Sequence, residues 1–94
     1  MHYHWDPLKD ASNLRKHGIS FADAVAAFDG HTLEWPDERF DYAEQRWIAI
    51  GISGGQEIVV VYVEEDEDAR RILSARPATK GERVLYWTTV GRQD

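Results

Sequence analysis

The spacing of apolar residues changes period along this chain, and the changes divide it into elements. His2 to Trp5 is short and aromatic-rich and predicts a first strand. Asp6-Pro7 then signals a helix start, with Asp as N-cap and Pro at the first helical position, where its missing N–H is not needed. Leu8, Ala11 and Leu14 follow at helical spacing and predict the buried stripe of that helix. Gly18 ends it. Ser20 opens a second helix, with Asp23 three residues on as in a capping box. Phe21, Val25 and Phe28, with Ala24 and Ala27 alongside, form its apolar face up to Gly30. The two helices form an αα hairpin.

Beyond Gly30 the period becomes that of strands. His31 to Trp35 predicts a strand broken at Pro36-Asp37, and residues 38–45 a polar loop. Arg46 to Ile52 alternates, with Ile48, Ile50 and Ile52 on one face and Trp47 and Ala49 on the other. Gly54-Gly55 supplies the positive φ of a hairpin turn. Glu57 to Val63 is almost continuously apolar, as in a central strand covered on both faces. Glu64 to Asp68, five like charges in a row, predicts a solvated turn. Arg70 to Ala75 returns as a strand, and Thr79 with Glu82 opens a final helix carrying Arg83, Leu85 and Tyr86. The expected fold is α+β in one domain, 1–94: a short N-terminal strand and an αα hairpin packed on an antiparallel sheet, with a C-terminal helix.

Composition narrows the classes. Ninety-four residues with 43% hydrophobic content build only a modest core. A chain this short buries roughly 60–65% of its unfolded surface, so a bound partner is expected to stabilise it. The absence of cysteine excludes disulfides and thiolate zinc sites. No apolar run approaches the ~20 residues of a membrane helix, and the start, Met-His-Tyr-His-Trp-Asp-Pro, lacks the apolar region of a signal peptide. A cytoplasmic protein without membrane association is expected.

The net charge of −6 argues against a nucleic-acid partner until its distribution is considered. Residues 31–69 carry two Lys/Arg against eleven Asp/Glu, whereas residues 70–94 carry six against two. Screening confines electrostatic influence to roughly 8–10 Å, so a local basic patch remains a legitimate anion site.

Several constellations carry possible chemistry. Arg70, Arg71, Arg76, Lys80 and Arg83 form a cationic set. Under regular pairing Arg71 and Arg76 fall on opposite strand faces, whereas Arg76 and Arg83 are expected to meet beside the helix start at Thr79, a natural phosphate pocket. The same residues also serve as a solvated face balancing the acidic turn. Lys16-His17 complements a helix C-terminus, and imidazole also exchanges protons near neutral pH. Glu82 is a capping acid or a catalytic base. Glu44 and Arg46 lead into a strand as site residues or an edge charge pair. His2 and His4 make two thirds of a metal site with no third ligand evident. No glycine-rich phosphate loop or nucleophile elbow is present.

Longer segments carry a resemblance: His4-Trp5-Asp6-Pro7-Leu8-Lys9, Asn13-Leu14-Arg15-Lys16-His17-Gly18-Ile19-Ser20-Phe21, then Ala24 and Phe28. Downstream stand Glu44-Gln45-Arg46, Ile50-Gly51, and Arg71-Ile72-Leu73-Ser74-Ala75-Arg76-Pro77-Ala78-Thr79 with Glu82-Arg83 and Tyr86. From about His2 to Tyr86 the chain resembles the BrnT toxins of bacterial type II toxin–antitoxin systems. The resemblance implies a RelE-like α+β fold, RNA cleavage that inhibits translation, and neutralisation by a BrnA-like antitoxin. That antitoxin carries a ribbon-helix-helix domain, so DNA is met only through it. The implied reaction is attack of a ribose 2′-hydroxyl on the adjacent phosphodiester, without metal or cofactor. The residues carried over are His17, Arg76, Glu82 and Arg83 for catalysis, and Lys16, Arg46, Arg71, Lys80 and Tyr86 for RNA binding, with Tyr86 stacking on or orienting a base. Pro77 and Gly81 stand where relatives commonly carry basic residues, which weakens the field expected there.

Overall fold

The computed structural model describes residues 1–91. Its elements are β1 (His2–His4), α1 (Pro7–His17), α2 (Phe21–Val25) continued by a 3₁₀ turn (Ala26–Asp29), β2 (Leu33–Asp37), β3 (Arg46–Ser53), β4 (Gln56–Asp66), β5 (Ala69–Pro77) and α3 (Lys80–Val90). The sheet has the order β1-β5-β4-β3-β2. Four strands form an antiparallel meander, while β1 joins the far edge in parallel with β5.

The helix boundaries follow the local signals. Asp6 Oδ1 accepts from Leu8 N at 2.8 Å, Ser20 Oγ from Asp23 N at 3.1 Å, and Gly18 closes α1 at φ 76°. Thr79 and Glu82 complete a reciprocal capping box. Gly54 and Gly55 turn the β3–β4 hairpin at φ 57° and 78°. The alternation of β3 is realised: Ala49 packs with Phe21, Ala24, Ala27, Ile58, Val60 and Ile72 beneath α1 and α2. Ile48 and Ile50 pack with Val59, Ala78, Tyr86 and Val90 beneath α3. Helices therefore cover both faces of the sheet.

Three expectations are corrected. The predicted stripe of α1 points outward: Leu8 is 80% and Leu14 49% exposed, and the buried residue of the helix is Asn13. Pro36 does not break β2. On an edge strand its missing N–H costs no ladder bond, and it pairs with Trp47. The acidic run is not a loose turn, because β4 continues to Asp66 and its charges meet cations. Arg70 lies 3.6 Å from Glu64, Arg71 3.4 Å from Glu65, and His4 also pairs with Glu65.

Candidate functional site

β5 contains one residue more than regular pairing allows. Val61 faces Ser74 and Tyr62 faces Ile72, which leaves Leu73 as a bulge. Directly opposed residues share a face. Arg76 opposes Val59 and Arg71 opposes Val63, so the bulge brings both guanidiniums to the α3 side rather than to opposite faces. Ile72 and Ala75, three apart, consequently both enter the core beneath α1 and α2.

The C-terminal end of β5 opens into a cleft of about 720 Å³. Its apolar floor includes Ile48, Val59 and Val61, with Trp35 and Pro36 on the β2 side. Lys16 and His17 reach it from the last turn of α1, Asp37, Glu38 and Arg39 from the end of β2, and Ser74, Arg76 and Glu82 from β5 and α3. Trp35 is half-buried against the α3-side core.

Arg76 is gripped by Glu82 through two bonds, Nη1 to Oε1 at 2.7 Å and Nη2 to Oε2 at 2.8 Å. Glu82 Oε1 also accepts from Thr79 N at 2.8 Å. Arg76 holds the Glu82 carboxyl down at about 2, against the opposing effect of burial. Glu82 in turn pushes Arg76 up, so both remain charged. The Arg76 side chain is still 37% exposed, which leaves its guanidinium accessible from the cleft. Arg39 makes a similar fork with Asp37, at 2.8 and 2.9 Å, and Tyr42 Oη donates to Asp37 at 3.1 Å. The Arg39 guanidinium beside Asp37 holds that buried carboxyl at about 2. Arg39 lines the same cleft as Arg76.

The sequence-derived residues divide sharply. Lys16, His17, Arg76 and Glu82 line one cleft. Arg83 does not meet Arg76: it donates to Ala78 O at 3.0 Å and borders a groove with Glu57, Val84, Trp87 and Thr88. Lys80 is exposed at the start of α3 and outside the cleft. Arg71 is held by Glu44 at 2.6 Å and by Glu65, at the opposite end of β5. Arg46 lies over the Tyr42 ring, 4.0 Å from its centroid. Arg70 faces the opposite side, between the rings of Phe28 and Tyr62 at 4.9 and 4.7 Å. Tyr86 is buried, with its hydroxyl donating to His31 O at 2.8 Å, so its ring is not available for stacking on a base. His2 and His4 are engaged by Asp68 and Glu65 at the β1 edge. Among the described residues, no three His, Asp or Glu side chains gather to hold a metal ion, and no helix is long and apolar enough to cross a membrane.

Sequence reasoning missed Arg39 and Asn13. Arg39 sat in a segment read only as loop, and its signal was the Asp37-x-Arg39 spacing that allows a local fork. Asn13 stood only within the segment that carries the resemblance, with no role of its own.

Fold and cleft together define a small α+β protein with a partly exposed arginine in a cleft beside an imidazole and an ammonium group. A family model described as "Ribonuclease toxin, BrnT, of type II toxin-antitoxin system" matches residues 5–82, and the chain belongs to this family. The crystal structure of the ribonuclease toxin BrnT of Brucella abortus, at 1.1 Å resolution, is similar with a TM-score of 0.68 and 29% identity, over 85% of this chain and 100% of that one. Among curated protein sequences none matches. The chain is thus a type II toxin, of a family named for ribonuclease activity and for pairing with an antitoxin.

Proposed function

We propose that this toxin cleaves RNA in the cleft around Arg76, by in-line attack of a ribose 2′-hydroxyl and without a metal. The observation that carries the reading is the partly exposed Arg76 guanidinium, fixed by Glu82 in the cleft that also receives Lys16 and His17. The 2′-oxygen forms a bond to phosphorus as the bond to the 5′-oxygen breaks, giving a 2′,3′-cyclic phosphate and a 5′-hydroxyl. His17 takes the 2′-proton, and water entering the open cleft protonates the leaving oxygen. Arg76, with Lys16 and Arg39, faces the charge that develops on the phosphoryl oxygens. Glu82 is a poor proton carrier, because three donors hold it ionised; its task is to aim Arg76. Of the remaining carried-over residues, Arg83 and Lys80 supply at most a flanking field, and Arg46, Arg71 and Tyr86 act structurally.

The test is digestion of RNA in vitro. Wild-type protein should release cyclic-phosphate ends equally with and without EDTA, and Arg76→Ala should lower release by roughly 10²–10³-fold while its circular dichroism stays native. Wild-type activity in that variant would remove the assignment.

The partner we propose is a BrnA-like ribbon-helix-helix antitoxin in the cytoplasm, with DNA bound only through it. Support comes from apolar side chains left in solvent, Leu8 and Leu14 on α1 and Val84, Leu85 and Trp87 on α3. Trp87 is exposed, whereas Trp35 and Trp47 pack against the cores.

One observation favours a second reading, an antitoxin-binding module with little cleavage. Both arginines of the cleft are already neutralised, by Glu82 and Asp37. Expression without a partner separates the two: growth arrest supports the nuclease, normal growth with folded protein the module.

A further inference from the structure

Apolar burial does not set the rotation of α1 about its own axis, since Leu8 and Leu14 face solvent. The buried residue of the helix is Asn13, and its carboxamide makes three hydrogen bonds. Nδ2 donates to Ile19 O at 3.0 Å and to Ala75 O at 2.7 Å, and Oδ1 accepts from Ala75 N at 3.1 Å. The two bonds to Ala75 replace a missing strand. β1 pairs only with Ala69, Arg70 and Arg71, so the C-terminal half of β5 has no strand beyond it, and a side-chain amide completes its ladder. The bond to Ile19 O closes the turn into α2 with the same group.

This amide ties together the two elements, α1 and β5, that bring His17 and Arg76 to the cleft. Arg76 follows Ala75 directly. His17 lies four residues after Asn13, one turn on along the same helix face, and it borders the cleft with Ser74 and Arg76. We propose that Asn13 is a positioning residue for cleavage, locking the phase of α1 so that His17 faces the phosphodiester held at Arg76. The inference rests on the reading of this cleft as the nuclease site. A rotation of α1 by one residue would turn His17 about 100° away, whereas the exposed leucines would lose little burial to resist it.

Two substitutions test the lock. Asn13→Asp keeps the shape and the acceptor but removes both donated bonds; Asn13→Ala removes all three. With RNA cleavage measured well below each melting temperature, kcat should fall roughly ten- to hundredfold while KM stays within about threefold. In a His17→Ala background, Asn13→Ala should cause little further loss, because its effect runs through His17. A folded variant with unchanged kcat, or losses that multiply in the double variant, would overturn the proposal. Should neither variant fold, the wild-type protein answers: the Ala75 amide should exchange with solvent as slowly as that of interior Val60, and exchange at an open-edge rate would refute the lock. A wild-type protein that cleaves no RNA would end the nuclease reading alone. In that case the His17 ring resonances should still shift in Asn13→Asp with those of His31 unmoved, and an unmoved His17 would end this inference.

Discussion

The two ends of β5 carry the same chemistry in different surroundings. At the N-terminal end, Arg71 is flanked by β1 and by the acidic end of β4, and two carboxylates, Glu44 and Glu65, hold it. At the C-terminal end, Arg76 faces the same side of the sheet and has one carboxylate partner, Glu82. There the strand edge is covered by the end of a helix rather than by another strand, so the space beside Arg76 is open and receives Lys16 and His17. Like residues on one strand become an arginine closed in by two carboxylates and one that opens onto a cleft. What separates them is how many acids are within reach and what covers the edge.

The sharpest way to break this contrast is to remove each arginine in turn. Arg76→Ala should lower RNA cleavage by roughly 10²–10³-fold, as for loss of a group that stabilises developing charge. Arg71→Ala should leave cleavage within about threefold. Equal losses from both would show that the two ends are not functionally distinct.

Aim is separated from charge by Glu82→Gln. The bidentate grip on Arg76 is lost while the cleft gains positive charge, and cleavage should fall about tenfold if orientation dominates. A rise in activity would mean that Glu82 restrains the site instead. The same substitution should lower stability by about 1–2 kcal/mol, read in urea unfolding, through the weakened cap and ion pair.

The acid response gives a smaller effect. Glu82 and Asp37 titrate lower in the fold than in the unfolded chain, both near 2. A depressed carboxylate contributes stability above its unfolded pKa and loses it as pH falls through the folded value. Unfolding free energy should therefore drop between about pH 4.5 and 2, and Glu82→Gln should flatten part of that slope. An unchanged slope would deny the Arg76–Glu82 pair its role.

Smallest of all, Arg71→Ala should cost no more than about 1 kcal/mol, an effect shrinking in high salt, because partly exposed ion pairs are weak and screened. A cost of several kcal/mol would make the closed end of β5 a true structural anchor.

Much of the fold was legible because its signals are local. Asp6-Pro7, Ser20 and the Thr79–Glu82 box each satisfy helix-end N–H groups with side chains at fixed offsets. The alternation of Ile48, Ala49 and Ile50 sorts residues to two cores by the period of a strand. The failures share one cause. Leu8 and Leu14 were assigned inward from spacing alone, but the face of α1 that meets the sheet is the one whose amide completes β5. Arg76 and Arg83 were expected to converge from their separation, but Arg83 turns back to Ala78 O. Tyr86 was expected to meet RNA, but its ring fills the core beneath α3.

By itself the sequence determined the elements, their caps and the two-sided core, because these depend on hydrogen bonds and periodicities a few residues long. Only the tertiary structure decided which basic residues share a cleft. That choice turns on a single bulged residue, Leu73, which resets the facing of β5, and on an amide that bridges positions 13 and 75. Neither has a local signature, since the bulge is set by how β5 pairs with β4 and the amide by the meeting of α1 with the open edge of β5.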